Sequence, residues 1–359
     1  MKNQDPYINR GETDVSEGAG QIEEKKSHIL MPLLGSPFAP GHCLETVQTM
    51  EDAGQRGIAM AEYYYFSGQP EEAAKAAEPY LLSEDTSLRL SACLVYAYAN
   101  LATDHIRLAR RALTEMQKFF ADNNVSEDAS PRLKTMSTFI SITASVLLHL
   151  PLSDDMRFES VNLMMLEPGL RFFFCYVQAH YVYLQGDYGK SLGIVETALA
   201  FQPQVYPIPS IYLRLVAVMD YMGLKDTEKA KEQMLLAWEL ARPDGLIEAF
   251  GEHHGLLGGI LEATLKKDWP EDFKRIIGIT YNFSSGWRKV HNPDTGHDVA
   301  DNLTTTEFAI AMLAARSWTN QEISDHLGIS VNTVKWYVSV VLSKLGITKR
   351  SDLRKYMLR

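Results

Sequence analysis

Apolar residues recur at intervals of three and four along most of this 359-residue chain. From about Glu45 to Tyr281 one such stretch follows another, with short turns between them. This spacing places apolar side chains on one face of an α-helix. A layout of alternating strands and helices is not visible, which argues against a phosphorylated receiver domain. The pattern therefore predicts an all-α chain made of many short helices.

The last 57 residues carry the sharpest helix signals. Thr304 with Glu307, and Thr319 with Glu322, have the spacing of a capping box, in which a hydroxyl and a carboxylate each satisfy a free backbone NH. Ser330 has the place of a third N-cap. These starts predict a compact unit of four helices, with a four-residue turn before the third helix.

The third helix, predicted from about Val331 to Leu345, separates apolar from polar side chains. Its apolar face holds Val331, Val334, Val338, Val341, Leu342 and Leu345. Its opposite face holds Asn332, Lys335, Trp336, Ser339 and Ser343. An amphipathic helix that follows a tight turn is how a helix-turn-helix presents its recognition helix to the major groove.

The run from Thr319 to Arg350 resembles the LuxR-type helix-turn-helix of bacterial transcription regulators. It reads TNQEISDHLGIS-x-NTVK-x-Y-x-x-x-VLSKLGI-x-x-R, and the family's usual form contains NKEIA, L-x-IS, TVK-x-H and KL-x-V-x-x-R at the same spacing. The match covers about one sixth of the chain. Ser317 stands where the family usually has glycine, Ser324 where it has alanine and Tyr337 where it has histidine. None of these changes breaks the fold, but Tyr337 leaves the role of that histidine open.

The resemblance implies which residues contact DNA. Lys335, Trp336 and Ser339 match positions at which family members read base edges. Thr333 and Lys344 match positions of phosphate and framework contacts. The expected partner is double-stranded DNA, bound by a homodimer at two half-sites about one helical turn apart.

Side-chain chemistry extends this set of contacts. Asn332 suits adenine, Lys335 suits guanine, and Trp336 can pack on a thymine methyl group. Phosphates would be held by basic side chains and by the start of the second helix, at Lys344, Lys349, Arg350, Thr319 and Asn320. A final helix from about Ser351 looks like the family's dimer-forming helix.

Charge is distributed unevenly along the chain. The net charge is −10 overall, which alone argues against a nucleic-acid binder. From Leu303 onward, however, eight Lys and Arg stand against four Asp and Glu, or +4, while the rest carries 27 against 41, or −14. A basic end on an acidic body is expected of a DNA-reading module attached to a different domain.

The middle of the chain contains a helical repeat. Tyr181 to Pro203 resembles the tetratricopeptide consensus, Y-x-x-G-D-Y-x-x-A-I followed by A-L and a closing proline. Gly186 would end the first helix and Pro203 the second. Ser191 and Ala198 are small enough to let the two helices touch.

Gly68 and Gly223 take the place of Gly186 in two weaker copies, and a pair of helices at 88–101 and 104–120 lacks the glycine. We expect about four to six helical hairpins stacked as a right-handed solenoid.

Composition predicts where this organisation changes. Residues 1–44 are expected to be a flexible segment, 45–281 the repeat domain, 282–302 a linker rich in Ser, Gly, Asn and Asp, and 303–359 the helix-turn-helix domain. The stretch from Ala241 to Thr264 is similar to the end of the repeat domain in maltose-regulator-like activators. This similarity supports a helical end to the solenoid.

One helix of the repeat suggests a binding surface. First helices of such hairpins line the concave face, and the register at Gly186 puts Phe173, Tyr176, His180 and Tyr183 there on one stripe. The stripe could form a groove for a small molecule or peptide. Alternatively, these aromatic residues pack against the next repeat, as apolar stripes usually do.

Three other chemistries are not expected. The triplet GKS at 189–191 lacks the glycine of a phosphate loop because position 184 is Leu184, which removes the ATPase found in many large regulators of this kind. His253 and His254 point about 100° apart on a helix and cannot easily share a metal ion with Glu252. Because no catalytic constellation is visible, we predict neither enzyme activity nor a cofactor nor a metal.

The compartment follows from cysteines and hydropathy. Cys43, Cys93 and Cys175 are far apart in apolar contexts and are expected to be reduced core residues of a cytoplasmic protein. No signal peptide is visible in the first 27 residues. The uncharged stretch 135–152 contains several Ser and Thr and is better explained as a buried helix than as a membrane span.

These features predict a one-component transcription regulator whose helical repeats sense a small-molecule or protein effector. The alternative is a tetratricopeptide-type adaptor whose helix-turn-helix is vestigial. Phe308 and Met312, one turn apart, could form a patch that docks on the solenoid, or they could be scattered surface hydrophobic residues.

Overall fold

The computed structural model describes residues 28–122, 130–148, 152, 156–291 and 303–357, and these form helices and turns without a strand. The prediction of an all-α fold is confirmed. In chain order the helices are α1 Cys43–Gln48, α2 Ala53–Phe66, α3 Pro70–Ala77, α4 Thr86–Ala102, α5 Ile106–Asp122, α6 Pro131–Leu147, α7 Pro168–Leu184, α8 Tyr188–Ala200, α9 Pro207–Leu224, α10 Thr227–Ala241, α11 Glu248–Leu257, α12 Ile260–Leu265, α13 Pro270–His291, α14 Thr305–Ala315, α15 Asn320–Leu327, α16 Val331–Lys344 and α17 Leu353–Met357. We call α1 to α13 the hairpin region and α14 to α17 the C-terminal unit.

Consecutive helices of the hairpin region pair as antiparallel hairpins, namely α2 with α3, α4 with α5, α7 with α8 and α9 with α10. The turn between α7 and α8 is at Gly186, whose φ of +81° is the left-handed conformation that ends a helix. In the α9 to α10 turn this conformation belongs to Lys225, with φ of +65°, and not to Gly223. Gly223 lies inside α9, where a Cβ atom would be 2.6 Å from the Tyr188 ring.

Helices α11 and α13 close the inner side of the hairpins. Helix α11 packs against α9 and α2, and α13 packs against α11 and α4. The two closing helices meet at Gly251, where an added Cβ would be 2.3 Å from Ile279. The first helices of the hairpins, α2, α4, α7 and α9, therefore face other helices of the same chain.

Part of the segment predicted to be flexible is packed. Leu33 and Leu34 are buried, and their backbone NH groups donate to the Glu62 carboxylate at 3.1 and 2.8 Å. Burial raises the pKa of Glu62 to about 8, although the two NH bonds oppose this rise. The flexible-segment prediction is thus wrong for 28–44, since the apolar run there covers the inner core. Residues 1–27 lie outside the described chain.

Helix α13 continues to His291 and thus extends ten residues into the predicted linker. Gly and Ser lower helix propensity but do not by themselves stop a helix. The rest of the predicted linker, 292–302, lies outside the described residues.

The C-terminal unit begins its helices where the sequence predicts. Both capping boxes form, at Thr304 with Glu307 and at Thr319 with Glu322, and Ser330 caps α16. These three predictions are confirmed. The core of the unit is built from buried side chains of α14, α15 and α16, including Ile310, Leu313, Ile323, Val334, Val338 and Val341.

All three cysteines carry free thiols, and Cys43 and Cys93 are fully buried. Burial raises the pKa of the Cys93 thiol to about 11, so this thiol stays protonated near neutral pH. Among the described helices, none combines the length and the apolar character that crossing a bilayer requires.

Candidate nucleic-acid interface

Helix α16 presents the predicted reading face to solvent. The Ser330 hydroxyl accepts from the Thr333 NH at 3.0 Å and starts the helix, while its valines anchor the other side in the core. The four side chains predicted to read bases, Asn332, Lys335, Trp336 and Ser339, are all exposed. Trp336 is 59% exposed and packs edge-on against the Tyr337 ring, with 4.8 Å between centroids. This tryptophan therefore faces solvent and not the hairpin region.

Lys344 holds two helices of the C-terminal unit together. Its Nζ lies 2.7 Å from the carboxylate of Glu307, which is buried and also accepts from the Thr304 NH at 2.7 Å. Burial acts to raise the pKa of Glu307, but the bonds to Lys344 and Thr304 outweigh it, so the pKa lies below the ordinary value. Of the two roles expected for Lys344, phosphate or framework contact, this geometry provides the framework contact.

Replacing Lys344 with methionine should lower the free energy of unfolding by about 1 to 2 kcal/mol, because the buried Glu307 loses its charged partner. Chemical denaturation would measure this loss, with Lys349→Met as an exposed control that should change little. Because the pKa of Glu307 is lowered, the pair's contribution should be present above the ordinary Glu pKa and be lost as pH falls through the folded value. Equal stability of both variants would contradict a structural role for the pair.

Two more predicted DNA contacts bond to each other. The Arg350 guanidinium donates to the Asn320 side-chain oxygen and to the Trp318 carbonyl. Partial burial lowers the pKa of Arg350. Lys349 and Thr319 are exposed, although the Thr319 hydroxyl accepts from the Glu322 NH at 3.2 Å. In this arrangement Arg350 and Asn320 connect the turn before α17 to the start of α15.

Arg316, at the end of α14, enters the hairpin region. It is 6% exposed, and its guanidinium donates to the Tyr183 hydroxyl and the Leu256 carbonyl. The guanidinium carbon also lies 5.7 Å from the centre of the Tyr183 ring. Burial raises the pKa of the nearby Asp220 to about 8, and the charge of Arg316 acts in the opposite direction. An arginine from one part of the chain is thus buried in the other.

Apolar contacts surround this arginine. The Phe308 ring lies over Gly255, where an added Cβ would be 2.4 Å from the ring, and Leu327 lies in the same way over Gly259 at 2.6 Å. Trp318 donates its indole NH to the Met222 carbonyl at 3.3 Å. Phe308 therefore contacts the hairpin region, as the interpretation of Phe308 and Met312 as a docking patch requires. Met312 is buried.

Lys225 reaches the start of α15. Its Nζ lies 3.0 Å from the Glu322 carboxylate and 3.2 Å from the Ser317 carbonyl. The cap bond from the Thr319 NH and the bond from Lys225 lower the pKa of Glu322. Ser317 has φ of +64°, which explains why the family usually has glycine at this position. A side chain of the hairpin region thus lies at the helix start predicted to hold phosphate.

The four residues of the predicted groove share one stripe but do not line an open groove. Ring centroids along the stripe Phe173, Tyr176, His180 and Tyr183 are 5.1, 5.8 and 6.2 Å apart in turn. All four are buried, at 7% exposure or less. The stripe packs on the neighbouring hairpin and on α11, as the alternative interpretation predicts.

Next to this stripe lies a buried group of polar side chains that the sequence did not reveal. We call it the tyrosine–carboxylate cluster, and it consists of Tyr65, Tyr98, Tyr176, Tyr212, Glu248, Glu252 and His253. Its members come from α2, α4, α7, α9 and α11. Only the spacing of Glu248 and Glu252, one turn apart, could have indicated it.

The adjacent histidines have separate partners. His253 Nδ1 lies 2.8 Å from the Ala249 carbonyl, and His254 Nε2 lies 2.8 Å from the Glu262 carboxylate. No group of three potential metal ligands occurs among the residues that the structure describes.

Comparison with known proteins identifies the C-terminal unit. Residues 301–357 match the family described as "Bacterial regulatory proteins, luxR family". The C-terminal unit is therefore a LuxR-family DNA-binding domain, as its motifs predict.

Individual relatives extend this similarity. The chain is 29% identical over 150 residues to "Response regulator protein VraR" of Staphylococcus saprophyticus, which is 40% of this chain and 71% of that protein. It is 38% identical over 55 residues to "Probable transcriptional regulatory protein SgaR" of Hyphomicrobium methylovorum, and 38% over 56 residues to "Transcriptional regulatory protein LiaR" of Bacillus subtilis. These matches cover 15% and 16% of this chain and 26% of each relative. No solved structure matches the chain.

Proposed function

We propose that this chain, whose C-terminal unit is a LuxR-family domain, is a one-component transcription regulator of the bacterial cytoplasm. The observation that carries the proposal is the solvent-facing side of α16. There Lys335, Trp336 and Ser339 are exposed, and the sequence resemblance predicts that these three positions contact base edges. Recognition helices of this length place three or four such side chains in the major groove.

The hairpin region has the second role in this proposal, which is to sense an effector and control the C-terminal unit. Arg316 is buried against Tyr183 and Leu256, and Lys225 bonds at the start of α15. In the docked state the first turn of α15 therefore carries a contact to the hairpin region. An effector that binds the undocked form more tightly would shift the equilibrium towards DNA binding.

DNA binding by a homodimer completes the proposal. The C-terminal unit is small, and two copies reading half-sites one turn apart would double the contacts. Helix α17, which resembles the family's dimer-forming helix, keeps Leu353 and Met357 buried in the docked state. Effector binding and dimerisation are therefore proposed to favour the same undocked form.

Salt dependence of DNA binding tests this function. The affinity of the full-length protein for duplex DNA should fall by about 10³ between 50 and 200 mM salt if a dimer neutralises about six phosphates. Fluorescence anisotropy with a labelled duplex, at a series of salt concentrations, measures the slope. Absence of binding to any duplex at low salt, with effector or without, would favour the adaptor whose helix-turn-helix is vestigial.

A further inference from the structure

The tyrosine–carboxylate cluster contains one carboxylate that has a hydrogen-bond donor at each oxygen. Glu252 accepts one hydrogen bond at each oxygen, from the Tyr65 hydroxyl and, at 2.8 Å, from the Tyr212 hydroxyl. His253 donates from Nδ1, since a carbonyl can only accept, so in the neutral ring Nε2 accepts from the Tyr176 hydroxyl at 3.0 Å. Three of the four tyrosine hydroxyls are thus already used as donors.

The other carboxylate of the cluster has no donor. Glu248 is 1% exposed, and neither of its oxygens has a hydrogen-bond partner among the described residues. The buried Tyr98 hydroxyl likewise lacks a partner there. A carboxylate offers about four lone-pair positions, which one remaining hydroxyl cannot fill. The cluster therefore has an excess of acceptors.

Its charges have the same sign. Burial is the main cause that raises the pKa of Glu248. The next two causes are the negative charges of Glu252 and Glu71. Burial also comes first among the causes that raise the pKa of Glu252. A carboxylate that is removed from water is stabilised by a cation or by a proton. No arginine or lysine of the described chain acts on these two groups to supply one.

Aromatic rings pack next to the two carboxylates. The Tyr212 ring centroid lies 4.9 Å from that of Tyr176 and 5.6 Å from that of His253, and the Tyr65 ring lies 6.3 Å from that of Tyr98. The faces of such rings attract cations, and an ammonium group supplies three donors. Carboxylates together with tyrosine faces match a protonated amine both in charge and in hydrogen bonding.

We propose that the tyrosine–carboxylate cluster is a binding site for the ammonium group of a small organic amine, which Glu248 and Glu252 contact together. This inference rests on the proposed function in one respect only, namely that the bound amine is the effector. Helix α11 carries Glu248 and Glu252 in its first half, and Gly255 and Leu256 near its end contact Phe308 and Arg316. Helix α11 is about 15 Å long. A ligand that moves this helix at the two carboxylates therefore also moves its end, which contacts the C-terminal unit.

The test uses the full-length protein and propylammonium as the probe, with 1-propanol and propionate as uncharged and anionic molecules of similar size. Thermal unfolding and titration calorimetry should show binding of propylammonium. The two control molecules should bind about tenfold more weakly or not at all, because they lack the charge-assisted bonds. Glu248→Gln should weaken propylammonium binding to the same extent, and so should Glu252→Gln.

Matched controls separate a site from a general effect of charge. Glu239 is an exposed carboxylate on α10, so Glu239→Gln should bind propylammonium as the unmodified protein does. Failure of propylammonium to bind, or binding that neither glutamate variant weakens, would overturn the inference.

DNA measurements distinguish this inference from the proposed function. If propylammonium binds through Glu248 but leaves DNA affinity unchanged, the amine site is supported and its effector role is wrong. If it does not bind, while variants of the docked interface change DNA affinity, the proposed function is supported and the amine site is wrong.

Discussion

Replacing Arg316 with alanine should raise the DNA affinity of the full-length protein, measured without effector, by roughly tenfold or more. The arginine is buried in the docked interface, where it donates to the Tyr183 hydroxyl and the Leu256 carbonyl. Its removal leaves both acceptors buried without a donor, which costs about 1 to 3 kcal/mol per group in the docked state. The undocked state, in which water reaches these groups, loses much less.

Affinity would be measured on DNA selected by the unmodified protein from a random pool. Lys225→Ala should act in the same direction but more weakly, because its contact with Glu322 is partly exposed. Lys229 provides a matched control, since it lies on α10 just after the same turn and pairs with Asp226. If Arg316→Ala folds and binds DNA no better than the unmodified protein, docking does not restrain the C-terminal unit.

Lys335→Ala should weaken specific DNA binding by about 1 to 3 kcal/mol and relax the preference for one base pair. The side chain is exposed on α16, at a position that the sequence resemblance predicts to contact base edges. Since an alanine there preserves the helix and its core face, the loss should come from the DNA contact. Trp336→Ala should likewise reduce the preference at a neighbouring base pair, because a thymine methyl group loses its apolar contact.

Binding to cognate and random duplexes is compared for each variant. A lysine that reads a base loses affinity mainly for the cognate duplex, whereas one that contacts phosphate loses it for both. Lys349→Ala should lose affinity for both duplexes, as expected of a lysine that contacts phosphate. It should also lower the salt dependence of DNA binding. Equal losses on both duplexes for Lys335→Ala would show that Lys335 only positions the backbone.

The sequence predicted the C-terminal unit accurately because its signals are short-range. A capping box needs two residues three positions apart, and both boxes form. The outward direction of Lys335 and Trp336 follows from the valines on the other face of the same helix. Such features depend little on the rest of the chain.

The interior of the hairpin region could not be predicted in the same way. Tyr65, Tyr98, Tyr176 and Tyr212 are separated by more than thirty positions each, and only the stacking of the hairpins brings them together. The sequence also gave no sign that α11 covers the first helices of the hairpins. The spacing of Tyr176 and His180 predicts that they share one stripe, but it does not show which helix packs against that stripe.

Partners of individual side chains were the least predictable feature. Arg350 and Asn320 were both expected to contact DNA, yet they bond to each other in this state. Arg316 carried no signal at all, since its acceptors come from α7 and α11. A charged residue at the end of a helix is usually solvated, and its burial depends on how the two parts of the chain fit together.

The glycines at the docked interface have an evolutionary consequence. Gly255 and Gly259 leave no room for one more carbon atom, since an added Cβ would be 2.4 Å from the Phe308 ring and 2.6 Å from Leu327. A single-nucleotide change in a glycine codon is enough to introduce such a carbon. Under the proposed function, one such substitution would favour the undocked form without an effector and would leave the exposed face of α16 unchanged.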